Sequence, residues 1–182
     1  MTSKLKVNIL ADGGDNAIMT SDGSGSLTLN NAALKATPAF AARMSQAQTI
    51  SHETYTKVDF DTEIFDTNSA YDHSTNQRFT VPANMAGKYV FYAAAICDAN
   101  GAAQLENARI AIYKNGSIVK MNAWNFNSND IKAYQATLST TFDLSAGDYV
   151  QVYARISDSS GSPRIDGSDT AQSQFFGFRM VE

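Results

Sequence analysis

The stretch VDFDTEIFDTNSAYDHSTNQRFTVPANMAGKYVFYAAA, Val58 to Ala95, decides the fold. Its aromatic residues stand at Phe60, Phe65, Tyr71, Phe79, Tyr89 and Phe91, and Asn68, Thr80-Val81-Pro82 and Gly87 punctuate them. Short apolar runs alternating with turn residues spell a series of antiparallel strands. Near its end, Tyr89 to Ile96 is apolar on both faces, with Tyr89, Phe91, Ala93 and Ala95 on one side and Val90, Tyr92, Ala94 and Ile96 on the other. A half-exposed strand alternates apolar with polar side chains, so both faces of this one have to be covered.

Outward from that stretch, strands are expected over Ala39 to Arg43, Tyr55 to Phe60, Arg78 to Val81, Lys88 to Ile96, Ala108 to Tyr113 and Ser117 to Asn122, then over Ala133 to Leu144, Tyr149 to Ser157 and Gln174 to Val181. Lys114-Asn115-Gly116-Ser117 is the clearest hairpin, because Asn-Gly accepts the positive φ angles of a two-residue turn. Ser145-Ala146-Gly147-Asp148 is a second turn. A weak helical period over Leu34 to Met44 contains Pro38, which interrupts it. In the last strand Phe176, Phe178 and Met180 make a wholly apolar face, expected in the core. Phe175, Gly177, Arg179 and Val181 make a mixed face, expected with Tyr92 at a subunit contact; loops or the arm covering that face within a monomer are the competing reading.

Residues 1–37 read as an N-terminal arm and residues 38–182 as the head domain. The arm's apolar runs, Lys6 to Leu10, Ala17 to Met19 and Leu27 to Leu29, are short. Asp12-Gly13-Gly14-Asp15 and Asp22-Gly23-Ser24-Gly25-Ser26 divide them. Such pieces make no core alone and need a partner surface, either the same arm of neighbouring subunits or another protein; a floppy tail is the competing reading.

The net charge is −4, from 14 Lys+Arg and 18 Asp+Glu scattered without runs, which removes nucleic acid from the expected partners. The first residues, MTSKLKVNILADGGDN, show neither a secretory signal nor a membrane span, so synthesis in the cytoplasm and no membrane partner are expected. Cys97 follows an apolar run and is expected as a buried, inert thiol. His52 and His73 stand in polar loops, no zinc spacing is present, and the glycine clusters lack the Lys-Ser/Thr of a phosphate loop. Asp98-Ala99-Asn100-Gly101 begins like a calcium loop without its later acidic ligands and reads better as a tight turn; Asp166 and Asp169 are equally ambiguous. No catalytic set, metal site or cofactor is therefore expected. The feature best suited to recognition is the segment from Asn122 to Asp130. Trp124 there offers a flat apolar ring and Asn122, Asn125 and Asn127 offer amides, the combination of a glycan or receptor contact. Packing of Trp124 in its strand is the competing reading.

From Ala39 onward the order of these landmarks resembles the globular head of complement C1q and its relatives, a jelly roll shared with the tumour necrosis factor superfamily. Ala39-Phe40 resembles the first strand and Val58-Asp59-Phe60 the strand before the asparagine, here Asn68. Tyr71-Asp72, Phe79 to Pro82, Gly87, Tyr89 and Phe91 follow in order. Ile112 to Gly116 resembles the family hairpin, Leu144, Gly147-Asp148 and Val150 its next turn and strand, and Phe175 to Phe178 the closing strand. Ala83-Asn84-Met85-Ala86 lengthens the usual Pro-to-Gly spacing. The resemblance implies an all-β antiparallel jelly-roll sandwich that forms a homotrimer, with no enzymatic activity. No collagen-like Gly-X-Y stalk precedes the domain, and Thr20 to Gly25 is similar to the N-termini of tailed-phage virion proteins. The resulting expectation is a virion surface protein whose arm docks onto other virion proteins and whose head contacts a host glycan or protein. The alternative is a free trimeric ligand or lectin-like module of cellular origin; an enzyme on a jelly roll would need a His-rich metal site.

Overall fold

Strands supply all the regular structure in the residues that the computed structural model describes, 7–29, 37–101, 104–126, 131–159, 161–167 and 172–180. The chain divides into two compact units, Met1–Thr37 and Pro38–Glu182.

In the first unit the three apolar runs of the arm form an antiparallel meander, β1 (Ile9–Ala11), β2 (Ala17–Ser21) and β3 (Leu27–Leu29). Its turns are built by aspartates that accept backbone N–H groups. Asp12 receives Gly14 N at 2.8 Å and Asn16 N at 3.0 Å, and Asp22 receives Ser24 N at 2.8 Å and Ser26 N at 3.1 Å. Pairing of Leu10 with Met19 and of Met19 with Leu29 places these three side chains on one face.

The second unit is a sandwich of two antiparallel sheets. Its strands are β4 (Ala39–Arg43), β5 (Gln48–Thr49), β6 (Thr56–Lys57), β7 (Thr62–Asp66), β8 (Tyr71–Asp72), β9 (Arg78–Thr80) and β10 (Gly87–Asp98). They continue with β11 (Leu105–Lys114), β12 (Ser117–Asn125), β13 (Ala133–Leu144), β14 (Tyr149–Asp158), β15 (Arg164–Asp166) and β16 (Gln174–Arg179). One sheet runs β5-β15-β10-β16-β4-β7, with β13 on the other flank of β10; the second runs β12-β11-β14-β9-β8, with β6 also on β14. The chain crosses repeatedly from one sheet to the other, as from β9 to β10, β10 to β11 and β13 to β14, which makes this a Greek-key jelly roll. The chain reverses at the expected turns, with Asn115 at φ 50° and Gly116 at φ 81°.

The sandwich core is aromatic. Phe40 stacks on Tyr71 with centroids 4.7 Å apart and meets Phe175 edge-on at 4.9 Å. Phe79, Tyr89 and Phe91 complete the cluster. The Tyr71 hydroxyl donates to the Phe60 carbonyl at 3.1 Å, so its one polar atom is satisfied inside. Burial pushes its phenol pKa up.

The faces of the last strand are the reverse of the sequence expectation. Phe175 is fully buried in the core, whereas Phe178 is 43% and Met180 41% exposed. Gly177 explains the inversion. Its missing side chain reads as a gap in an apolar face, yet a Cβ there would lie 2.5 Å from Cδ1 of Phe91. The gap is filled by a core ring from the neighbouring strand. β7 also goes beyond expectation, because an edge strand exposed on one side carries little apolar signal.

Candidate binding and assembly surfaces

Register assembles an apolar strip on the outward side of the β10-containing sheet. Phe65 of β7 pairs with Ala41 of β4, Ala41 with Phe176 of β16, Phe176 with Tyr92 of β10, and Tyr92 with Ser139 of β13. Paired residues share a face, so one rung crosses five strands. The next rung holds Ala39, Phe178, Val90 and Thr141. Phe65 is 48% exposed, and the Phe176 ring stacks on Tyr92. An exposed face of this composition is typical of a subunit interface.

Of the expected contact residues, Tyr92 lies on this strip, Val181 lies outside the described residues, and Phe175 is corrected to the core, where it touches Phe40, Phe60 and Phe91. Arg179 sits at the rim of the inward face. Its Nη2 donates to the Ala86 carbonyl at 2.7 Å, while its buried Nε has no hydrogen-bond partner among the described residues. The strip residues Phe65, Phe176 and Phe178 were not legible as contacts, since their exposure depends on which face of each strand turns inward.

The Trp124 region is more occupied than its sequence implies. The indole packs at 5.2 Å against Tyr134, and Tyr134 also meets Phe126 at 5.1 Å. Asn122 Nδ2 donates to the Thr137 carbonyl at 3.0 Å. Asn125 accepts from Asn107 Nδ2. Asn127 lies outside the described residues.

The groups with chemical potential are dispersed. Cys97 is fully buried and desolvation pushes its thiol up to about 12. His52 Nδ1 lies 3.3 Å from Asp158 Oδ1, and His73 Nδ1 lies 3.5 Å from Glu63. Asp98 is held by Arg164, whose Nε and Nη2 donate at 2.9 and 2.7 Å, and it also accepts Asn100 N at 2.8 Å, so its carboxylate is engaged within the protein. Asp169 lies outside the described residues. Among the described residues no group of three or more His, Cys, Asp or Glu is placed to hold a metal ion, and no helix is long and apolar enough to cross a membrane. A polar cavity of about 230 Å³ is lined by Gln46, Ala47, Gln48, Asp59, Asp61 and Gln77. Burial raises the Asp59 pKa, and Asp61 is tied to Ser45 N at 2.8 Å.

Two antiparallel sheets with Greek-key connections, an aromatic core and an uncovered apolar sheet face define a jelly-roll head. The chain belongs to the C1q domain family, whose sequence profile matches residues 39–180. Its fold is similar to that of the TNF Eiger from S. frugiperda, at 12% identity over 80% of this chain and 92% of that one, with a TM-score of 0.55. Murine APRIL is similar at 9% identity over 79% and 99% of the two chains, TM-score 0.58. The globular domain of zebrafish complement 1qA is similar at 18% identity over 80% and 98%, TM-score 0.53. Identities this low bear on the fold alone. Among curated proteins, none matches the chain in sequence.

Proposed function

We propose that this protein is a non-enzymatic, homotrimeric jelly-roll head on the surface of a phage virion, anchored to the particle by residues 1–37. Domains of the C1q and TNF families form homotrimers and generally act as binding modules rather than enzymes. The observation that carries the trimer is the rung of Phe65, Ala41, Phe176 and Tyr92, an apolar strip that another copy of the head would cover. In a cyclic trimer each copy meets its two neighbours through different patches, and closure of the ring buries the strip without leaving an open end.

The arm supports the anchoring role through its own chemistry. Leu10, Leu27 and Leu29 remain 46%, 64% and 37% exposed on a sheet of three short strands. Such a sheet is marginal without a partner against its apolar face. The virion reading draws on the Thr20 to Gly25 pattern.

Light scattering of the purified chain tests the assembly; a monomer at micromolar concentration overturns it. Immunogold labelling in electron micrographs tests the location, with label on capsid or tail expected. Virions that keep the head after deletion of residues 1–37 would show that the arm is not the anchor. Trimeric protein found only free of particles would favour a soluble trimeric ligand instead.

A further inference from the structure

The second sheet turns outward a face of different character, built from tyrosine and arginine. Arg109 of β11 lies directly opposite Arg155 of β14, and one rung along, Tyr153 lies opposite Ala111 and Lys57. Tyr113 stacks on Tyr153 with centroids 3.9 Å apart, and Tyr55 meets Tyr113 edge-on at 6.2 Å. The Tyr55 hydroxyl reaches Met121 Sδ at 2.7 Å, so its ring lies across the sheet. All three rings are half-exposed.

Like charges directly opposite each other destabilise a sheet. Here a buried acceptor holds them together. Asn107 is 7% exposed; its Oδ1 accepts Arg109 Nε at 2.9 Å and Arg155 Nη1 at 3.5 Å, and its Nδ2 donates to the Trp124 carbonyl at 2.8 Å. Arg155 is partly neutralised by Glu53 at 3.2 Å. Arg109 has no carboxylate within ion-pair distance among the described residues, whereas Lys57 is coupled electrostatically to Asp59. Among the described residues of a chain of net charge −4, Arg109 is thus left without a counter-charge beside a platform of tyrosine rings.

We propose that this face binds the carboxylate-bearing sugars of an acidic polysaccharide. Arg109, with Arg155 beside it, takes the carboxylate, because a guanidinium presents paired N–H donors in the geometry a carboxylate accepts. Tyr113 and Tyr153 take the flat C–H face of the sugar ring. Charge complementarity selects an acid. The stacked tyrosine rings select a sugar over an acidic peptide, since they offer the C–H face of a sugar ring a flat surface that a peptide carboxylate does not need. The site lies within one protomer and requires neither trimer nor particle, so its failure leaves the assembly reading untouched.

The test is calorimetric titration of the full chain with oligogalacturonate, oligoglucuronate and a sialylated oligosaccharide. Methyl-esterified oligogalacturonate and poly-L-glutamate are the comparisons. At least one acid sugar binds, and its affinity falls about tenfold or more in Arg109→Gln and in Tyr153→Ala, while Lys132→Gln leaves it unchanged. Arg109→Lys keeps the charge but not the fork and gives an intermediate loss; unaltered thermal unfolding excludes misfolding of the variants. No binding of any acid sugar at millimolar concentration overturns the proposal. So does equal binding of the methyl ester, or poly-L-glutamate binding that survives Tyr153→Ala.

Discussion

The Phe176 ring stacks on Tyr92 across the β10–β16 pair, with centroids 5.0 Å apart and ring planes 25° apart. The two rings stand on the outward face of their sheet, the side away from the second sheet of the sandwich. Offset aromatic pairs add about 0.5–1.5 kcal/mol beyond the area they bury. Neither ring is fully covered within the chain.

Phe176→Asp is expected to convert a trimer into a monomer, because three carboxylates placed in a shared apolar contact would be buried without partners. Sedimentation velocity reads the change in mass. The monomer should still unfold cooperatively, since Phe176 is not part of the buried core; loss of the folded head itself would refute this placement.

Phe175→Ala and Phe178→Ala separate the two faces of the last strand. Removing the fully buried Phe175 should cost roughly 3–5 kcal/mol of head stability, whereas Phe178, 43% exposed, should cost the monomeric head much less. Urea unfolding in the Phe176→Asp background measures both without the trimer's contribution. The opposite ranking would restore the faces that the sequence implies.

Gly177→Ala is a subtler probe of the same contact. The new Cβ would sit 2.5 Å from Cδ1 of Phe91, so a ring in the middle of the core has to move. Overpacking of this kind costs about 1–3 kcal/mol. Pairing it with Phe91→Leu, which vacates space, should recover part of the loss; strict additivity in a double-mutant cycle would contradict direct contact.

The Cys97 thiol, pushed up to about 12 by burial, should resist Ellman's reagent at pH 8 in the folded head and react fully in guanidinium chloride. Rapid labelling of the native protein would place the thiol nearer the surface than its complete burial allows.

Asp148 ties the β11–β12 hairpin to the turn between β13 and β14 and links stability to acid. Lys114 Nζ lies 2.8 Å from its carboxylate, Asn115 Nδ2 donates at 2.7 Å and Ser145 N at 2.8 Å, and these bonds hold its pKa at about 2, below the ordinary 3.8. A carboxyl lowered on folding contributes stability that is present above 3.8 and lost as pH falls through about 2. Asp148→Asn should therefore be less stable than the parent at pH 7 and converge on it toward pH 2. A difference independent of pH would mean that the charge is not involved.

Much of the strand inventory was legible because the period of two and the turn residues are local properties. Ala39–Arg43 and Ala133–Leu144 lie where the alternation and turns place them, and Asn115-Gly116 turns as its φ preference dictates. Tyr55 to Phe60 was read as one strand, yet only Thr56–Lys57 pairs, because pairing depends on a neighbour and not on apolar content. The expected contact residue Phe175 failed for a related reason: an apolar face and a core face are not the same thing when a glycine makes room for a neighbour's ring. The tyrosine and arginine face on the second sheet was invisible in sequence, since Tyr55, Arg109 and Tyr153 meet only through strand register.

The sequence by itself determined that this chain is an antiparallel all-β protein with a long strand apolar on both sides, because alternation, turn chemistry and composition act over a few residues. Only the tertiary structure decided which side of each strand is inside. That choice rests on contacts between distant strands, Gly177 beneath Phe91 and Phe176 against Tyr92, and no local pattern carries them.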